Sequence, residues 1–192
     1  MSLKGILSHY LLLASSLALV TSGCTTTSST DASALKISAG ERVDLSRYTV
    51  ATVVPFELSE KARKKDAQFG ENFAANIAGR LKSDFGSIFQ EVRWNQPLRQ
   101  PHELIISGVI DSYEPGDPGL RFLLIGLGAA NFNGKLVLKD GADQRELMSA
   151  PFSKLWAWGG LLGSIKTIDH MVSETAAAAA KTVAAQKQGG NK

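Results

Sequence analysis

The spacing of apolar residues changes in a fixed order along this chain, and that order constrains the fold more than any single residue does. In two long segments the apolar residues recur every three or four positions, which is typical of helices that bury one face. These residues are Phe69, Phe73, Ile77, Leu81 and Phe85 in the first segment, and Ile165, Ile168, Val172, Ala176, Ala179 and Val183 in the second. The shorter segments 48–57, 88–95, 104–113, 131–139 and 145–153 are β-branched or alternate between apolar and polar residues, and they predict strands.

The predicted elements follow one another in the order β-α-β-β-β-β-α, with helices at 58–85 and 164–187. A β-α-β crossover that leads into an antiparallel meander predicts an α/β (α+β) fold. We therefore expect a two-layer sandwich with a mixed five-stranded sheet and two main helices. The first helix has two candidate N-caps, Ser59 and Asp66, and the sequence leaves both open.

The beginning of the chain has the features of a secretory leader. Lys4 supplies a positive charge ahead of the apolar run 10–20, which is too short to span a bilayer and predicts a signal peptide. The leader ends with Gly23 and Cys24, the only cysteine among the 192 residues. This ending resembles the lipobox of bacterial lipoproteins. The resemblance implies cleavage between Gly23 and Cys24, with lipid, including palmitate, attached to Cys24.

We therefore divide the chain into a signal peptide (1–23), a lipidated cysteine with a flexible tether (24–45), a single α/β periplasmic domain (46–188) and a short tail (189–192). The tether is rich in Thr, Ser and Ala and has no sustained apolar period. In lipoproteins of Gram-negative bacteria, Asp after the lipidated cysteine usually means retention in the inner membrane. Thr25 stands there, so we expect an outer-membrane anchor on the periplasmic side.

Composition restricts the classes of function. The formal net charge of +3 falls to +2 without the leader, whose only charged residue is Lys4, so we expect no nucleic-acid partner. His102 and His170 are the histidines of the mature chain, and we expect both at the surface rather than in a metal or catalytic site. No catalytic residue, metal or cofactor is predicted. The basic cluster 61–65 has two interpretations, a solvated helix start or a contact with anionic lipid headgroups.

Two glycine-rich connections, 120–130 and 155–165, are unusually apolar for loops. Either they complete the core or they form an apolar patch that contacts the membrane or a partner. The contact residues would be Phe122, Leu123, Leu124, Ile125, Leu127, Trp156, Trp158, Leu161 and Leu162. In a meander of 104–113, 131–139 and 145–153, both connections leave the same end of the sheet. If 88–95 pairs antiparallel with 104–113, the start of 48–57 shares that end, and the anchor and both connections face the bilayer together.

The segment 104–141, LIISGVIDSYEPGDPGLRFLLIGLGAANFNGKLVLKDG, resembles an uncharacterised family of small bacterial lipoproteins. Its marks are a strand, a Glu-Pro-Gly turn, an Arg before the glycine-rich apolar loop, and a strand ending in Asp-Gly. The resemblance covers about residues 45–187, and the family has no defined function. More distantly, the order of elements is similar to that of the periplasmic domain of the curli secretion lipoprotein and of lipoprotein activators of peptidoglycan synthases.

These observations predict a membrane-anchored periplasmic lipoprotein that acts as a non-enzymatic adaptor or assembly factor of the cell envelope. It would have a protein partner in the envelope, besides the membrane that Cys24 contacts. One alternative is a subunit of an oligomeric envelope or secretion assembly. A hydrolase is a further alternative.

Overall fold

The helical and strand segments occur in the predicted order, with one short strand and one short helix added. The computed structural model describes residues 43–117, 120, 128–156 and 168–189, without the side chain of Trp156. In these ranges the elements are β1 (Val50–Val53), β2 (Glu57–Leu58), α1 (Glu60–Lys65), α2 (Phe69–Phe85), β3 (Glu91–Trp94), β4 (Glu103–Glu114), β5 (Ala130–Asp140), β6 (Glu146–Trp156) and α3 (Ile168–Gly189). None of the helices in these ranges has the length and apolar character needed to cross a membrane.

The strands form one mixed sheet in the order β3-β1-β4-β5-β6, and β2 pairs with β4 beyond the end of β1. β1 is parallel to both of its neighbours, β3 and β4. β4, β5 and β6 form an antiparallel meander. The predicted α+β sandwich is therefore confirmed, and β2 adds a sixth strand to the described sheet.

The core lies between one face of the sheet and the helices α2 and α3. Alternate residues of β4, such as Leu104, Ile106 and Ile110, share one buried cluster with the apolar stripes of both helices. One part of this cluster is aromatic: the Phe132 ring centroid lies 5.0 Å from that of Phe69 and 4.9 Å from those of Phe73 and Phe152. The predicted stripe of the first helix thus faces the sheet.

The predicted helix 58–85 is two helices, which explains why the sequence offered two caps. The Ser59 hydroxyl accepts a hydrogen bond from Ala62 N and caps α1. Asp66 has extended backbone dihedrals, φ −155° and ψ 109°, and ends α1. Its carboxylate then accepts from Gln68 N at 2.8 Å, immediately before α2 begins. Each of the two signals therefore marks a real boundary.

Segment 88–95 does not pair antiparallel with 104–113, which was the condition for the anchor and the connections to face the bilayer together. β3 pairs with β1 in parallel and is not paired with β4, because β1 lies between them. Val50 at the start of β1 pairs with Glu103 at the start of β4. The domain therefore begins at the same end of the sheet as Asp140, which pairs with Leu104. The two apolar connections leave the other end, so the start of the domain and the connections do not share one end.

The last strand is longer than expected. β6 continues to Trp156, whose backbone pairs with Ala130. Leu155 and Trp156 consequently belong to a strand and not to a loop. Glu114 pairs with Asn131 at this same end, so the meander does bring the starts of both connections together, as predicted.

Candidate functional site

The chain enters the fold through residues 43–48, which we call the strap, and side chains from several elements hold it. From α3, Gln186 Oε1 accepts from Val43 N at 3.3 Å, and Lys187 Nζ donates to the carbonyls of Leu45 and Ser46 at 3.0 and 2.6 Å. Burial lowers the pKa of Lys187. The strap is thereby tied to the carboxyl end of α3.

A buried carboxylate ties the strap to the β5–β6 turn. The Tyr48 hydroxyl donates to Asp140 at 2.8 Å, and Arg47 forms an ion pair with the same oxygen of Asp140. The hydrogen bond from Tyr48 holds the pKa of Asp140 below its usual range, and Ala142 N and the Arg47 charge act in the same direction. Burial raises the pKa of Tyr48. Because Leu45 and Tyr48 are also buried in the core, the position at which the tether joins the domain is fixed.

A second buried carboxylate, Glu103, organises the connection 95–102 at this end of the sheet. The connection leads from the end of β3 to the start of β4. Ala51 and Val53 lie in the core, so Thr52 between them is on the opposite face of β1, and the Glu103 carboxylate joins its hydroxyl to the connection there. Thr52 is fully buried. Glu103 is 2% exposed, and it accepts from the Thr52 hydroxyl at 2.6 Å and from Leu98 N and Gln100 N at 3.0 and 3.3 Å. Burial raises the pKa of Glu103, but these hydrogen bonds outweigh it and the net pKa is lowered.

The histidines and the basic cluster have structural contacts. His102 and His170 are both exposed, as expected. His102 has a positive φ of 68°, and its Nδ1 lies 2.9 Å from the Arg47 carbonyl oxygen. In the cluster 61–65, Lys61 and Lys65 lie 3.4 and 2.9 Å from Glu114, so this basic charge is engaged within the domain. The Lys65 ammonium is the main reason that the pKa of Glu114 is lowered.

The end of the sheet opposite the strap, which we call the distal end, carries a neutral polar ladder that the sequence analysis missed. Asn133 Nδ2 donates to the Ser112 hydroxyl at 2.9 Å, and the Ser153 hydroxyl donates to Asn133 Oδ1 at 2.6 Å. The ladder crosses β4, β5 and β6 on the face without helices. Alternation along β5 signals which residues face outward, but only the register between strands brings these three side chains together.

Most of the predicted site lies outside the described residues. This holds for Gly23 and Cys24 and for the apolar residues Phe122, Leu123, Leu124, Ile125, Leu127, Trp158, Leu161 and Leu162. Trp156 is described only as the last strand residue. Their predicted roles in lipidation, cleavage and contact remain predictions. No group of three or more His, Cys, Asp or Glu residues suited to a metal ion is found in the described ranges.

A shallow groove of about 400 Å³ lies on the exposed side of α2. Its lining consists of Ala75, Asn76, Gly79, Arg80 and Ser83. The Arg80 guanidinium is engaged there by the Ser173 hydroxyl at 3.0 Å and by Asp84 at 3.6 Å. The groove therefore has a helix-bridging arginine as its main polar group.

Comparison with known proteins gives structural similarity alone. No family model and no curated protein matches the sequence. A PelC variant dodecamer from Paraburkholderia phytofirmans is 16% identical with a TM-score of 0.49, covering 75% of this chain and 90% of that one. A second PelC dodecamer from the same organism is 14% identical with a TM-score of 0.47, covering 70% and 86%. Protein XCC0632 from Xanthomonas campestris, of family DUF330, is 13% identical with a TM-score of 0.45, covering 80% and 90%.

At these identities and TM-scores the matches assign neither a family nor an activity to this chain. The predicted similarity to the curli secretion lipoprotein stays a prediction.

Proposed function

We propose that this chain is a lipoprotein anchored through Cys24 to the periplasmic side of the outer membrane, where it acts as a non-enzymatic adaptor that binds an envelope protein at its distal end. The observation that carries the proposal is the strap. It fixes the anchored end of the chain at one end of the sheet, while the apolar connections leave the other end.

The dimensions of the molecule support this orientation. β4 has 12 residues, which corresponds to about 40 Å between the two ends of the sheet. The 19 residues from 24 through 42 would span about 24 Å as a flexible coil and about 65 Å when fully extended. A relaxed tether is thus shorter than the sheet, so the distal end would face away from the anchoring membrane and toward the periplasm.

The anchor is tested by Cys24→Ser with palmitate labelling and fractionation of the envelope. We expect the variant to lose the label and to leave the outer membrane. Thr25→Asp is the matched control, because it keeps the cysteine and is expected to keep the label while moving the protein to the inner membrane. Outer-membrane retention of an unlabelled Cys24→Ser protein would contradict the lipid anchor.

Two alternatives have different measurable properties. A subunit of an envelope oligomer would give a discrete high native mass after detergent extraction, whereas an adaptor would give a monomer mass. A hydrolase would show activity in a substrate screen that His102→Ala or His170→Ala abolishes. Neither change is expected to affect binding of the partner.

A further inference from the structure

Strand β6 is one of the two outer strands of the described sheet. The other outer strand, β3, has only 4 residues, and its Arg93 and Glu91 pair at 2.7 Å. Short, charged edges are protected against pairing with other chains. β6 has 11 residues, so it is the longer edge, and Pro151 divides it into two parts.

The register identifies the backbone groups that point away from the sheet. Asp140 N donates to the Arg145 carbonyl at 2.9 Å, so the N–H of Asp140 points toward β6. The register shift between Leu138 and Lys139 adds a residue to β6 and leaves β5 continuous, so N–H directions alternate along β5 from Asp140 onward. The N–H groups of Lys135, Asn133 and Asn131 therefore point away from β6, and their pairs with Pro151, Ser153 and Leu155 are non-hydrogen-bonded pairs. The N–H groups of Ser153 and Leu155 therefore point outward, whereas Pro151 has none to offer and interrupts the edge.

On the sheet face without helices, this part of the edge presents Ser153 and Leu155, which are uncharged, whereas Lys154 lies 3.8 Å from Glu174 of α3. Leu155 is 67% exposed, the largest exposed fraction among the large hydrophobic residues of the described ranges. Beside it, the Ser153 hydroxyl is bound to Asn133 and does not project freely. An edge of this kind offers main-chain hydrogen bonds and one apolar contact, which are the groups that an extended peptide satisfies.

We propose that residues 152–156 of β6 receive an extended segment of the envelope partner, which adds to the sheet as a further strand and places an apolar side chain against Leu155. The proposal rests on the adaptor function above, for which it gives the mode of binding.

A second copy of this chain fits the edge poorly. Two copies paired antiparallel with the centre at Ser153 would place Pro151, which has no N–H, opposite Leu155 of the other copy. With the centre at Lys154, the two Lys154 side chains would lie directly opposite each other, and each lies 3.8 Å from Glu174 of its own chain, so two ion pairs would be crowded at one position. A different protein avoids both conflicts.

The test begins in intact cells with the full lipidated chain. A photoreactive benzoylphenylalanine replaces Leu155 in one strain and Asp111, an exposed residue of the inner strand β4, in another. Mass spectrometry then identifies the crosslinked segment, and a synthetic peptide with that sequence is titrated onto the purified protein. We expect crosslinking from position 155 and at least tenfold slower exchange of the amide hydrogens of Ser153 and Leu155.

Variants separate the backbone from the side chain. Leu155→Pro removes the outward N–H and is expected to weaken peptide binding at least tenfold, whereas Ser149→Pro, the same change on the other side of Pro151, is expected to weaken it less than twofold. The exchange measurement on the unmodified chain stands even if Leu155→Pro does not fold. Crosslinking to a second copy, or unchanged amide exchange, overturns the proposal. Crosslinking from position 111 alone would overturn binding at the β6 edge but would still agree with an adaptor function. The absence of crosslinking from both positions would count against the adaptor function itself.

Discussion

The buried carboxylate of Glu103 gives the sharpest test of how the connection 95–102 is held. Glu103 Oε1 accepts from the Thr52 hydroxyl and from Leu98 N, and Oε2 accepts from Gln100 N. In Glu103→Gln one of these two positions becomes an NH₂ group, so at least one buried donor faces another donor. Losing a hydrogen bond to a charged group costs about 1.5–3 kcal/mol. We therefore expect the free energy of unfolding to fall by about 2–3 kcal/mol at neutral pH.

Urea unfolding followed by circular dichroism measures this difference. Glu91→Gln is the matched control, because Glu91 is an exposed carboxylate of β3 that pairs with Arg93 at the surface. We expect no measurable change in its unfolding midpoint.

The pH dependence has a defined sign. The folded pKa of Glu103 lies below its ordinary value of about 4.3. The ionised carboxylate therefore stabilises the fold above pH 4.3, and its contribution is lost as the pH falls through the folded pKa. The difference in the free energy of unfolding between the native chain and Glu103→Gln should therefore shrink below about pH 4. A difference that is absent at neutral pH, or that does not change in acid, would refute this account of the connection.

Three further changes test the core, the strap and the sheet. Phe132→Ala should cost about 3–5 kcal/mol in urea unfolding, because Phe132 is fully buried among three other rings; a loss below 1 kcal/mol would contradict this packing. Asp140→Asn should loosen the strap and speed proteolysis within 43–48. Because the folded pKa of Asp140 is lowered, the native chain should lose the same protection below about pH 4. Equal rates of proteolysis for the variant and the native chain at neutral pH would contradict the role of Asp140 in holding the strap. Gly108→Ala should cost at least about 1–3 kcal/mol in thermal unfolding, because the new Cβ meets the Lys135 carbonyl and the Phe56 ring; an unchanged melting temperature would contradict this close contact.

Local patterns predicted the elements well where burial on one face decides the structure. β4 was expected at 104–113 and extends over Glu103–Glu114, and the apolar stripe of α2 faces the core as expected. The break between α1 and α2 was visible only as competing caps, because α1 is almost wholly polar, with Ala62 as its buried residue, and has no apolar stripe of its own. Proline at position 55 similarly divides the predicted first strand into β1 and β2.

Strand order could not be obtained in the same way. The connection 95–102 crosses β1 without a helix, and it uses the left-handed backbone of Asn95, Arg99 and His102, with φ of 50°, 56° and 68°. Asn95 is a common turn residue, but Arg99 is not, and a turn signal does not show which strand the chain pairs with next. The buried role of Glu103 depends on donors from two other segments, and a single charged residue before a strand does not reveal them. The predicted orientation of the anchor depended on this strand order. The pairing considered for segment 88–95 and the end of the sheet assigned to the anchor therefore failed together.

The central claim is that the anchored end and the partner-binding end lie at opposite ends of the sheet. The most direct test reconstitutes the full lipidated chain in nanodiscs whose lipid headgroups carry gadolinium, and measures paramagnetic broadening of backbone amides. We predict strong broadening at Ala142, beside the strap, and weak broadening at Asn131 at the distal end. Broadening that is equal at the two positions, or stronger at Asn131, would contradict the account.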